Sequence, residues 1–333
     1  MMEALLFAIS IVLPNLVLMW LGFFMHKKGQ IGKVFIDQAS KLVFNYALPC
    51  LLFFSVIEST VNFGKQLSLL GAGLATTLIL FVGAEIYAKL FIQRPEDKGV
   101  FVQGVFRSNM AIIGLATVAN AYGSEGLSIG AVYMGVITLV FNILAVITLS
   151  RTAIGSQSES KQIAKQMAKR ESYAKMITSK MITNPLIISL SVAFAYKLIS
   201  SALSLPKLPD VVTQTGSLLS ALSLPLALIC AGATIDVRSM FNLSGLSMQA
   251  SIGRIVVAPL VAIVVGSGFG LTGVHMGVLF LMVASPVAAA SYVMAKAMSG
   301  NEVLAANILA FTTVVSLFGM AFGAATLRAL GWM

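Results

Sequence analysis

The sequence predicts an all-α integral membrane protein of ten transmembrane helices arranged as two inverted five-helix repeats. Three observations predict it. First, the 333 residues are 58% hydrophobic and only 10% charged, with a mean hydropathy of +0.94. A soluble domain carries about 25% charged residues, so the solvent of this chain is a bilayer. Second, ten apolar runs reach the roughly 20 residues needed to span one: 4–25, 35–58, 67–92, 100–121, 127–149, 183–203, 211–233, 246–269, 275–298 and 302–330. Third, the two halves of the chain match weakly in one shared register.

Taken in order, the first run begins at Leu5. It has no basic segment before it and no A-x-A cleavage site after it, so it is expected to be a retained helix rather than a signal peptide. Short connections join the next four runs. Residues 1–149 form the first repeat, 150–182 a basic loop, and 183–333 the second repeat. Ser150–Arg170 is rich in Ser, Gln, Lys and Arg and suits a short amphipathic surface helix. No separate soluble domain fits. Cys50 and Cys230 lie inside apolar runs with no CxxC spacing and are expected to be small buried hydrophobes.

Basic residues set the orientation. With the N-terminus outside, the inner side carries Lys27, Lys28, Lys33, Lys41, Arg94, Lys98, Arg238 and seven more Lys or Arg in the 150–182 loop. The outer side carries Lys65, Lys207 and Arg328. That asymmetry places both termini outside the cytoplasm. It also explains the net charge of +10 as a topology signal rather than a nucleic-acid footprint.

The repeat register is an offset of 177 residues. Ser108-Asn109 then falls on Ser285-Pro286, Gly123-Ser124-Glu125 on Gly300-Asn301-Glu302, and Leu127 on Leu304. Near the same offset, Leu48-Pro49 meets Leu224-Pro225. Five spans per half is an odd number, so the halves must be inverted, as in many secondary carriers.

Pro14, Pro49, Pro225, Pro259 and Pro286 are all intramembrane. A kink repaired by neighbouring helices accounts for most of them. Pro286 sits in a small-residue stretch, Ser285 to Ser291, in the ninth span. Its repeat partner is Ser108-Asn109 followed by Gly114 in the fourth span. Matching weak points in both halves point to interrupted helices at a binding site, with simple kinks as the alternative.

Intramembrane charges are few. Glu85, Arg107 and Arg254 each lie about eight residues from a predicted cytoplasmic end, roughly 12 Å deep. The arginines either snorkel to the interface or take part in function, with Glu85 pairing one of them. Lys197 and Lys296 lie nearer helix ends. No metal-ligating cluster, nucleophile motif or nucleotide-binding loop is present, so no enzyme activity or cofactor is expected.

The run Lys41 to Pro49 resembles the second helix of bacterial members of the auxin efflux carrier family, which includes transporters of malonate and other organic acids. Ser108-Asn109 with Gly114, and Tyr122 to Gly126, resemble that family's fourth helix and the turn after it. Asn142, Asn184-Pro185 and Ser285-Pro286 resemble its later motifs. One departure is Gly114-Leu115-Ala116, where members often have Gly-x-Pro. The resemblance implies fourth and ninth helices that unwind where they cross, as in sodium/bile-acid symporters. It further implies a scaffold of spans 1, 2, 6 and 7, a mobile transport domain of spans 3–5 and 8–10 moving as an elevator, and a homodimer through the scaffold. The expected function is therefore carriage of a small organic anion, a mono- or dicarboxylate, by alternating access across the inner (plasma) membrane. The candidate binding residues are Ser108, Asn109, Gly114, Asn142, Ser285, Pro286 and Ser291. Arg107, Arg254 and Glu85 are the candidates for charge or coupling, and the residues leave open a coupling proton, a coupling sodium ion or neither. The rivals are a channel, which should show a polar stripe along one pore, and a receptor or structural membrane protein, which has no need of paired interrupted helices.

Overall fold

The computed structural model describes residues 2–59, 66–152, 184–203, 208–241, 245–298 and 300–333. The elements among them are helical: α1 (Met2–Lys27), α2 (Lys33–Ile57), α3 (Leu67–Phe91), α4 (Pro95–Phe106), α5 (Leu115–Thr152), α6 (Pro185–Leu203), α7 (Asp210–Ala233), α8 (Val237–Phe241), α9 (Gly245–Gly268), α10 (Gly273–Ala284), α11 (Ala289–Ala297) and α12 (Glu302–Ala329). Eight of these are long and apolar enough to cross a membrane: α1, α2, α3, α5 with the π turn before it, α6, α7, α9 and α12. The expected basic loop lies almost wholly outside the described residues.

The intramembrane prolines are handled in three ways. In α2 a π turn, Val43–Ala47, precedes Leu48-Pro49, and the Leu48 amide reaches back to the Val43 carbonyl. In α9 the π turn Gly253–Val257 precedes Ala258-Pro259 in the same way. A proline ring clashes with the carbonyl four residues back, and the wider turn gives it room while keeping the helix continuous. Pro14 and Pro225 sit inside uninterrupted α-helix. At Pro286 the helix stops altogether, between Ala284 and Ala289.

The expected separation of spans four and five falls within α5. Its backbone leaves helical geometry at Gly123 (φ 58, ψ −142), a region open to glycine. A Cβ on Gly130 would stand 3.3 Å from Leu115 Cδ1 and 3.4 Å from Val118 Cγ1. In a straight helix, residues 115 and 130 would be about 22 Å apart. The chain therefore folds back on itself at Gly123.

Two groups of helices pack closely. In one, α1 lies on α7, and α2 lies on both α6 and α7. The α1–α7 contact is reciprocal backbone against backbone: a Cβ on Gly22 would fall 1.9 Å from the Ile229 carbonyl, and one on Gly232 1.9 Å from that of Met19. Small residues allow such close approach, and in lipid this packing itself drives association. In the other group α3, α4 and α5 pack together, α9 joins α3 and α4 to α10 and α12, and α11 lies against α4 and α12. The groups meet where α1 touches α5 and α12, and where α2 touches α5. Asn15 on α1 donates to Thr117 Oγ1 at 2.8 Å and accepts from Asn120 Nδ2 at 3.1 Å, tying α1 to α5. Lys197 on α6 donates to the carbonyls of Val56 (3.2 Å) and Ser59 at the end of α2. Outward faces are apolar, as Leu6, Ile9, Leu13, Val17 and Trp20 on α1 show by recurring every three or four residues.

Candidate functional site

α4 ends at Phe106, and helical structure resumes as a π turn, Met110–Gly114, leading into α5. Between them Arg107 (φ −91, ψ 99) is extended and Asn109 (φ −83, ψ 65) occupies an inverse-γ conformation. α10 ends at Ala284 and α11 begins at Ala289, with Ser285 (φ −62, ψ 153) and Ala288 (φ −67, ψ 133) extended. The two gaps cross, and an antiparallel bridge pairs Ser108 with Val287. The Asn109 amide donates to the Pro286 carbonyl at 2.7 Å, and the Ala288 amide to the Arg107 carbonyl at 3.1 Å. The Val287 amide donates to Thr312 Oγ1 at 3.3 Å. Opened backbone in a bilayer must find partners inside the protein, and here each gap supplies part of what the other needs. Both interruptions expected from the sequence are therefore present, the fourth-span one without a proline.

Arg107 leaves this crossing as a buried side chain, 5% exposed. Its Nη1 donates to Gln103 Oε1 at 3.2 Å and to Met294 Sδ at 2.7 Å, and its Nη2 to Asn142 Oδ1 at 2.7 Å. These three partners are neutral and lie on α4, α11 and α5. Close by in the same crossing, Gln103 Nε2, Ser108 Oγ and Ser291 Oγ are buried without a hydrogen-bond partner. Ser291 also lines a small cavity with Val100, Gly104, Val287, Ala305 and Ile308. The Asn109 side chain is half-buried and makes no hydrogen bond among the described residues. A positive group with unused donors around it, at a place where helices start and stop, can hold an anion.

Three of the expected binding residues have structural roles at the crossing. Ser285 Oγ donates to the Met282 carbonyl at 2.9 Å, in its own helix. Pro286 contributes its carbonyl to Asn109. Gly114 admits α10, since a Cβ there would stand 3.0 Å from Met282 Sδ.

Arg254 is 0% exposed and donates to the carbonyls of Val105 (Nη1, 2.9 Å) and Val283 (Nη2). Snorkelling, expected as one reading of the two arginines, does not describe either of them: both are buried with their guanidinium bonds turned inward. The expectation that Glu85 pairs one of them is not met either: among the described residues the hydrogen bonds of both guanidinium groups go to neutral groups. Glu85 itself is half-buried on α3.

A family model described as membrane transport protein matches residues 7–323. The chain belongs to the auxin efflux carrier family. No curated protein matches the sequence significantly. Auxin efflux carrier family proteins are transporters and not enzymes, so this chain is a membrane transporter. Gln103 and Met294 were not among the expected site residues. Gln103 lies one turn before Arg107, a spacing that places two side chains on one helix face; Met294 carries no comparable signal.

Proposed function

We propose that this transporter is a secondary carrier of a small organic anion, a mono- or dicarboxylate, working by alternating access. The observation that carries this reading is Arg107, a buried cation bonded to Asn142 and Gln103, together with the unused buried donors of Ser108, Ser291 and Gln103 on the segments that meet at the crossing. A carboxylate entering there gains charge-assisted hydrogen bonds that the protein does not already satisfy. The amide ends of the π turn at Met110 and of α11 add roughly half a positive charge each.

The architecture behind this function is ten spans in two inverted repeats. In support, the chain reverses at Gly123, which separates spans four and five, and α10 with α11 together supply the ninth. The equivalent positions Asn109 and Pro286 meet at the crossing. Spans 1, 2, 6 and 7 form the scaffold and spans 3–5 and 8–10 the moving part, an elevator; the two packing groups support that division. The protein spans the inner (plasma) membrane with both termini outside the cytoplasm, and it works as a homodimer through its scaffold.

The test is thermal unfolding of the purified protein against a panel of short carboxylic acids including malonate, and against matched amines. A specific acid should raise the melting temperature saturably, since a ligand at a hundred times its Kd adds about 2.7 kcal/mol of stability. Stabilisation by amines and by none of the acids would overturn the anion reading.

A further inference from the structure

Arg254 lies on the π turn of α9, fully buried, and its two Nη groups bond two carbonyls on two different helices. Val105 is in the last turn of α4 and Val283 in the last turn of α10. Both helices stop at the crossing. The last four carbonyls of a helix have no partner within it, and each such end carries about half a negative charge. Two ends that converge on one side chain sum to about one negative charge, and the guanidinium brings one positive. Gly253 makes the approach feasible: a Cβ there would stand 2.9 Å from Val105 Cγ2, pushing α4 away from Arg254.

In carriers built from interrupted helices, unwound carbonyls and half-helix C-termini are where a coupling cation is held. We propose that Arg254 is a built-in counter-cation at the crossing, standing where a coupling sodium ion would bind, so that the protein moves its substrate without sodium. Arg254 is then a positioning residue. It holds the ends of α4 and α10 together, and with them the gap that carries Arg107, Ser108 and Asn109. The counter-charge is independent of what the protein carries. Sodium independence of transport rests on the carrier reading given above.

The experiment has two arms. The first is thermal unfolding of detergent-purified protein in sodium chloride or choline chloride at equal ionic strength, for wild type, Arg254→Lys and Arg254→Met. Wild type should melt at the same temperature in both salts. The lysine variant keeps the charge and should fold and melt well above the methionine variant, which has similar length but no charge, or the methionine variant should fail to fold. A methionine variant as stable as the lysine variant would overturn the counter-charge, and so would a saturable stabilisation of wild type by sodium over choline. If neither variant folds, the wild-type comparison decides. The second arm is uptake of radiolabelled malonate into proteoliposomes with and without an inward sodium gradient. Equal uptake is expected, and uptake that requires the gradient overturns sodium independence. If malonate enters in neither condition, its carriage is refuted, and the unfolding arm still decides the role of Arg254.

Discussion

Replacing Asn109 with alanine separates the crossing's structural role from its binding role. The backbone of Asn109 is committed: its amide donates to Pro286, and its carbonyl accepts from the Gly114 amide at 3.0 Å. Its side chain makes no hydrogen bond among the described residues, and its dihedrals (φ −83, ψ 65) suit alanine as well as asparagine. Asn109→Ala therefore keeps both backbone bonds, and stability should stay within about 0.5 kcal/mol of wild type, the usual range for a substitution that removes no contact. An anion held by the side-chain amide loses a hydrogen bond to a charged group, worth about 1.5–3 kcal/mol, which is roughly a 10- to 150-fold loss of affinity. The assay is titration calorimetry with whichever acid stabilises the wild-type protein, beside thermal unfolding of both proteins. A well-folded Asn109→Ala protein with wild-type affinity would refute the assignment of Asn109 to the binding surface. A protein that loses stability instead would show that the side chain supports the break.

Three further outcomes are expected. Arg107→Gln removes the buried positive charge and the 2.7 Å bond to Asn142, so acid binding should weaken by at least the same roughly 10- to 150-fold; calorimetry showing unchanged affinity would remove Arg107 from the site. Gly22→Val drives a side chain into the Ile229 carbonyl, and overpacking of this kind costs about 1–3 kcal/mol or more, so the melting temperature should fall, whereas an unchanged one would contradict the α1–α7 contact. Asn15→Ala removes two hydrogen bonds where α1 meets α5, while Thr117 and Asn120 keep their bonds to the Ile113 and Ile11 carbonyls; at about 0.5–1.5 kcal/mol per bond the melting temperature should fall, again read by thermal unfolding.

Most of the bundle was legible because lipid demands long apolar helices, and every long helix described here falls on one apolar run in the sequence or, for α5, on two. The fourth-span interruption was legible from Asn109 and Gly114 even without a proline, because its repeat partner at Pro286 marked the level. How the two gaps satisfy each other was not legible. The pairing of residues 107–109 with 286–288 joins segments far apart in sequence, and no local pattern encodes it. The same holds for Arg254: one residue reads as a costly buried charge, and its purpose emerges where two helix ends from different halves converge on it. Asn142 came from family resemblance alone, and the structure places it on the Arg107 guanidinium. Ser285 and Ser108 looked equivalent in sequence. They differ because the Ser285 hydroxyl has a carbonyl of its own helix within reach at Met282, and the Ser108 hydroxyl is buried without one.

The most direct test of the central claim is counterflow in proteoliposomes. Vesicles are loaded with a high concentration of the acid that best stabilises the protein, and labelled acid is supplied at trace level outside. An alternating-access carrier with its anion site at Arg107 should accumulate label transiently above equilibrium, and the Arg107→Gln protein should not. Label that only equilibrates, or overshoot of equal size in the Arg107→Gln protein, would contradict the account.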